Sequence, residues 1–393
     1  GFVNQRGKIY QYVGGPAVAD GEDPIAVSVN ISAQDFSGAD AANWDEITDL
    51  NSLVSKLPFP LNVTDSNSIS VGGLVVRNEV LSQAESKIVN STVNVTGNGN
   101  LNASSNAFMR VVDTSSVTSS GGSIFGKGKS VAVNGVVANN VVLSKANAFI
   151  QGGNLTFGGS LSLNSQNTSA LDAVIKNTTK SNGASVGVTL AFNTIGWLAQ
   201  NFLFNTVDAL VGTNLGTQQP AETQAYIMSS SVQAGNGLNL NTVSNAAVHA
   251  EVGSSTTSIV ATFGKGTSVS VGAVIAMNKV STKSRAYIYN APVVSVTGGN
   301  ITLSTNDQAS IWTNVKAASV SVGANAGKST VVSVGLSISR NQINADTQTY
   351  ISNSGVTANA GSITLTATEN STIDATSSAS AIAVAASAAG ATS

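Results

Sequence analysis

The chain contains no cysteine and a single histidine, His249. Disulfide staples, thiolate metal sites and histidine-ligated metal clusters are excluded on that count alone. Charge is scarce as well: 10% of the 393 residues, against about 25% in soluble domains. Intrinsic disorder does not fit, because disordered chains are rich in charge and poor in β-branched residues. Aromatics are only 5% while hydrophobic residues reach 42%, so the apolar content is mostly Val, Ala, Ile and Leu. With a net charge of −2 there is no electrostatic grip on nucleic acid. The longest apolar stretch, Ile195 to Val211, is broken by Gln200, Asn201, Asn205 and Asp208, too polar for a membrane span.

What remains is Asn, Ser, Thr and Gly alternating with small β-branched residues, a composition suited to tightly stacked strands. It is organised as a repeat. An alternating strand ending in Asn occurs five times, from Ile69-Ser-Val-Gly to Asn78 and again up to Asn140, Asn193, Asn278 and Asn341. A second landmark follows each: Ser86-Lys-Ile88, Ala148-Phe-Ile150, Ala225-Tyr-Ile227, Ala286-Tyr-Ile288 and Thr349-Tyr-Ile351. The third is a Gly turn into a strand, as in Gly299-Asn-Ile-Thr-Leu303 and Gly361-Ser-Ile-Thr-Leu365. Three landmarks in one order define a unit of about sixty residues. Gly390-Ala-Thr-Ser393 repeats the approach to the fifth unit, so a sixth is expected to open there.

Alternation of this kind gives strands with one buried face, and Gly and Asn supply the positive φ of corners. The expected fold is therefore all-β: a parallel β-helix, or β-solenoid, of about five repeats of roughly sixty residues. At about 20 to 30 residues per coil, each unit supplies two wide or three narrow coils, and the array forms a rod roughly 50–80 Å long. Asn78, Asn140, Asn193, Asn278 and Asn341 are expected to align on one edge as a structural ladder. Phe149, Tyr226, Tyr287 and Tyr350 form an outward row, one residue before each inward Ile. That row either stabilises the stack by edge contacts or serves as a stripe for lateral or ligand contacts.

One insertion interrupts the period, about residues 195–212. Ile195, Leu198, Ala199, Phe202, Leu203 and Leu210 fall at helical spacing, so a short amphipathic helix is expected there. Trp197 and Phe204 on its other face are candidates for docking a further subunit.

The chain divides into residues 1–50, a linker or cap over 51–68, and the array over 69–393. Residues 1–50 hold eight carboxylates against Arg6 and Lys8, a balance of −6, and the remainder carries +4. They are expected to form a small β element bearing Tyr10, Tyr12, Phe36 and Trp44. Those rings are either its core or a platform for stacking on sugars.

Catalytic signatures are weak. His249 lies in an alternating strand and reads as an outward polar residue. The array's carboxylates show no paired spacing of the glycosidase kind, so catalysis by a β-helix lyase or hydrolase is a remote alternative. Gly121-Gly-Ser-Ile-Phe-Gly-Lys-Gly128 lacks the Ser or Thr of a phosphate loop and recurs as a unit boundary. The calcium-binding nonapeptide is absent. No catalytic residue, metal or cofactor is assigned.

The Val-Ser-Val-Gly…Asn units, the Ala-Tyr-Ile segments and the Gly-Gly-Asn-Ile-Thr-Leu turns resemble very large bacterial cell-surface proteins. These are the filamentous-haemagglutinin-like and leukotoxin-type filamentous adhesins with β-strand repeats. The resemblance covers roughly residues 69–393 and implies secretion and a structural or adhesive role. The partners it implies are identical subunits or adjoining repeats end to end, with cell-surface or environmental polysaccharide as a further ligand class.

Overall fold

The structure, a computed structural model, describes residues 2–5, 8–12, 44–47, 66–121, 128–198, 210 and 218–392. Near the N-terminus, β1 (Phe2–Gln5), β2 (Lys8–Tyr12) and β3 (Trp44–Ile47) form an antiparallel sheet with β2 in the middle. Tyr12 is the register partner of Trp44, and Phe36 lies outside the described residues.

The rest is a parallel β-solenoid of five rungs, each made of two long strands and one short strand. Rung one is β4 (Ser68–Val89), β5 (Thr92–Val95) and β6 (Gly99–Ser119). Rung two is β7 (Ser130–Gln151), β8 (Asn154–Phe157) and β9 (Ser160–Ser181). In rung three the first long strand is split into β10 (Ala184–Ile195) and β11 (Ala221–Met228), followed by β12 (Ser231–Ala234) and β13 (Gly237–Thr262). Rung four is β14 (Gly266–Tyr289), β15 (Val293–Val296) and β16 (Ile301–Asn325). Rung five is β17 (Ser329–Ser352), β18 (Val356–Ala358) and β19 (Ile363–Ser387), and β20 (Ala391–Thr392) opens a sixth beside Ser329–Thr330.

One sequence unit is therefore one coil, not two or three: Ser68 pairs with Ser130, and Val269 with Val332. Strands of 21 to 26 residues at about 3.3 Å per residue make a coil about 75 Å wide. Five rungs at about 4.8 Å rise only about 25 Å. The described array is a broad slab rather than the slender rod expected. Outside rung three the long strands run unbroken because Gly and Asn inside them stay extended. Among the described residues five of the seven positive φ angles, all but those of Gly196 and Gly390, gather in one column: Asn90 (49°), Gly152 (67°), Ser229 (50°), Asn290 (53°) and Asn353 (48°). There each rung turns from the first long sheet into the short sheet.

Of the helix expected over 195–212, residues 195–198 are described and are not helical. Ile195 is the last residue of β10, and Trp197 makes an isolated antiparallel bridge with Gln218. Ile195 sits in an inward column between Val142 and Val280, and ladder bonds on both sides outweigh its helical spacing. Gly196, at φ +76°, turns the chain off the ladder and donates its N–H to the Val142 carbonyl at 2.9 Å. Residues 196–220 stand where rung two has only Leu143 and rung four only Ser281. Residues 199–209 and 211–217, Phe204 among them, lie outside the described residues.

Two apolar clusters fill the space between the long sheets. One gathers Ile150, Leu163, Ile227, Leu240 and Ile288 near the short sheet, the other Val142, Leu171, Ile175, Ile195 and Val280 in the middle. At the far end the interior is polar and narrow. Ser130 Oγ lies 3.0 Å from both Ser119 Oγ and Ser181 Oγ, and Ser268 Oγ lies 2.8 Å from Ser258 Oγ and 2.7 Å from Ser321 Oγ.

Candidate functional site

The asparagines form a ladder, though inside the slab rather than along its edge. They lie in the middle of the long strands, on inward positions, and they bond one another rather than neighbouring backbone. Each donates its Nδ2 to the Oδ1 of the next: Asn78 to Asn140 at 2.8 Å, Asn140 to Asn193 at 2.9 Å, Asn193 to Asn278 at 2.9 Å and Asn278 to Asn341 at 2.8 Å. An amide carries both a donor and an acceptor, so only a residue of this kind propagates an unbroken chain through a parallel in-register stack. Asn140, Asn193 and Asn278 are fully buried.

Nine ladder positions beyond each asparagine, across the excursion in rung three, Lys87, Phe149, Tyr226, Tyr287 and Tyr350 stand on the outer face. Their ring centroids are 4.7, 4.8 and 5.0 Å apart, and the planes differ by 7°, 6° and 8°. The rung spacing itself sets this stacking. Each inner ring has both faces covered by its neighbours, so what the row presents outward is ring edges and hydroxyls. Lys87 Nζ lies 6.0 Å from the Phe149 centroid and closes the row at one end.

Burial pushes the Tyr226 hydroxyl up from 10.0 to about 12, with Glu222 and Glu85 adding to the effect. Tyr287, which donates to Gln224 Oε1 at 3.2 Å, is raised further, by burial first and then by Tyr226 and Tyr350. An acid whose folded pKa is raised contributes stability that is complete below the unfolded value and is lost as pH rises through the folded one. Alkaline unfolding is therefore expected as pH climbs from 10.0 toward about 12, with tyrosinate absorbance and far-UV circular dichroism changing together. Ionisation of all tyrosines at their ordinary pKa, with the sheet signal intact, would contradict the ladder.

A polar layer separates the two apolar clusters. Ser105, Asn167, Ser244 and Asp307 share one inward column, and Asn167 Nδ2 donates to Ser144 Oγ at 3.0 Å. Asp307 is fully buried and accepts from Thr347 Oγ1 at 3.2 Å. Burial raises its pKa, against the lowering effect of the nearby hydroxyls of Thr282, Ser244, Ser284 and Thr347. The folded pKa lies above the unfolded one, so this group's contribution is full at acid pH and declines as pH rises through the folded value. Asp307→Asn, which places in rung four the amide that rung two already has, is expected to raise the thermal midpoint at neutral pH by a few degrees. The gain should shrink on acidification, and an equal effect at both pH values would show that the charge is not the cause.

His249 faces outward in a row with Arg110, Asp172, Trp312 and Asp374. Its Nδ1 lies 2.8 Å from Asp172 Oδ1, and its ring stacks on Trp312 with centroids 4.3 Å apart. Trp197 is buried, with its ring 4.7 Å from Lys279 Nζ. Lys279 is itself buried although it points away from the interior. An open groove of ≈ 550 Å³ lies where the insertion rejoins the ladder, lined by Leu81, Lys145, Gln218, Pro220 and Glu222 among others. Among the described residues no three His, Cys, Asp or Glu side chains are grouped to hold a metal, and no helix is long and apolar enough to cross a membrane.

The last rung is open. Ile301, Leu303 and Ile311 of β16 are 0–1% exposed, whereas Ile363, Leu365 and Ile373, their partners in β19, are 42–47% exposed. β16 packs against both β14 and β17, while β19 has only β17 and the two residues of β20.

These features define a class, a parallel β-solenoid that sets like residue on like residue from rung to rung. No protein-family model, curated protein or solved structure matches the chain.

Proposed function

We propose that this chain is a structural and adhesive segment of an extracellular bacterial surface protein, a stalk or filament subunit of the filamentous-adhesin kind, without catalysis. The observation that carries the reading is the parallel in-register stacking of one sequence unit per rung, like residue on like residue, which buries each rung only against its neighbours and suits an elongated repetitive array. Ladders of Asn and aromatic side chains suit this role, since each added rung extends them without new chemistry. Immunogold labelling of intact cells that make the protein tests the reading. Label on projecting material outside the envelope is expected, and label confined to the cytoplasm would overturn it.

A second reading, polysaccharide binding, draws on the register of Tyr12 opposite Trp44, which brings two aromatic residues to one place in the small sheet. A glycan array comparing wild type with a Tyr12→Ala, Trp44→Ala variant decides it. No binding by either protein removes the idea.

A further inference from the structure

In the Val-Ser-Val-Gly segments the usual amphipathic order is inverted. The serines and glycines point inward: Ser185 and Ser270 are fully buried, and the column of Gly72, Gly187, Gly272 and Gly335 faces the opposite sheet. The valines point out. Four outward columns begin at Ile69, Val71, Gly73 and Val75, and across all five rungs every residue in them is apolar or glycine. Exposure reaches 74% at Ile69, 75% at Val71 and 81% at Val75 in rung one, and 44–48% at Val332, Val334 and Leu336 in rung five. The rim is polar on one side, with Lys129 and Thr267; on the other, Arg77, Asn139 and Arg340 flank Phe192 and Met277, which are buried and pack on Leu190 and Ile275 of the fourth column. The other long sheet is apolar outside at this end only in its later rungs, with Thr118 and Lys180 standing where Val320 and Ile382 lie above.

We infer that this outer valine face is a lateral interface, and that its occupant is the same face of a second copy of this chain. Four columns about 6.8 Å apart and five rungs about 4.8 Å apart span roughly 600 Å². That is the upper end of the largest contiguous apolar patch on a typical monomer, about 300–600 Å², a size often found at functional surfaces. Two such faces together bury about 1,200 Å², the lower bound of specific, stable interfaces. The columns hold no charge, so a charged partner gains nothing there. Ridges of β-branched residues at constant rung spacing are self-complementary: a two-fold rotation sets the ridges of one copy into the grooves of the other, as in packed sheets and dry zippers. The inference is independent of the surface role proposed above, because it concerns association through a sheet face, not along the direction in which the rungs stack.

Sedimentation equilibrium of the full 393-residue chain tests it. A reversible dimer is expected. Val133→Lys with Val188→Lys should weaken dimerisation at least tenfold while leaving the far-UV spectrum unchanged, and Ser310→Lys, on the outer face of the other sheet, should leave the dimer intact. Val188 lies in the third rung and third column, near the centre of the face. In a chain without cysteine, Val188→Cys supplies a lone thiol that should give a disulfide-linked dimer on mild oxidation, without burying a charge. A monomer at every concentration, or association that survives both lysines, overturns the inference. So does a monomer that binds zwitterionic liposomes through this face, which would assign it to lipid.

Discussion

Replacing Asn193 by Asp is expected to cost about 3–5 kcal/mol of stability at neutral pH, the range found when a buried charge is left without a partner. The residue occupies the middle of the five-membered amide ladder, fully buried, accepting from Asn140 Nδ2 and donating to Asn278 Oδ1. A carboxylate keeps the first bond and loses the second, and it sets an anionic oxygen against the Asn278 carbonyl oxygen in a desolvated interior. Asn193→Leu removes both bonds without adding charge and should cost less, about 2–3 kcal/mol, for the two amide groups it leaves unpaired. The two variants separate by pH. Burial raises the folded pKa of the new carboxyl above its unfolded value, so its destabilisation is relieved below the unfolded pKa and grows as pH rises through the folded one. Urea midpoints across pH should therefore converge for wild type and Asn193→Asp at acid pH, while Asn193→Leu stays a constant distance below wild type. Equal stability of all three at neutral pH would mean that the amide chain contributes nothing.

Much of this arrangement was legible in the residues, and the parts that were not have physical causes. The single column of five Asn and the Ala-Tyr-Ile segments, with Ile inward and the ring outward, follow from the two-residue period and from the landmarks recurring in order. Coil length did not follow. A strand of 22 residues exceeds the usual 5–6, and Asn78, read as the end of a strand, lies inside β4. The helical spacing misled at Ile195 because a 3.6-residue spacing over a short window also occurs where that residue is simply one rung of an inward column. The inverted face was hidden for another reason: alternation tells which residues share a side, not which side is inside. That depends on how near the opposite sheet lies, and the sequence records it only as an inward glycine. Asp307 reads as a scattered carboxylate, since nothing around it in the chain reveals that Thr282 of its own rung and Thr347 of the next come to it from the opposite sheet.

The pinched end makes the second large prediction, in which one substitution has opposite consequences on the two faces of the same sheet. A Cβ on Gly187 would lie 2.7 Å from Thr256 Cγ2, 3.0 Å from Ser254 Oγ and 3.1 Å from Thr179 Oγ1. All three belong to the facing sheet's buried interior, which has no room to retreat. Gly187→Val adds two methyl groups beyond that Cβ, and an overpacked core of this kind costs about 1–3 kcal/mol or more. Gly135, one rung below and one position on, faces outward, and a Cβ added there would meet nothing within 4 Å. Gly135→Val places there what Val188 already is in the next rung, and removes an entropic penalty of about 0.5–1 kcal/mol that glycine imposes in a strand. Thermal midpoints should therefore fall for Gly187→Val and hold or rise for Gly135→Val. Because the second change also completes an apolar column of the lateral face, it should strengthen association at the same protein concentration. If both variants lose stability alike, the valine side is not the outer side, and the inverted reading of these strands fails with it.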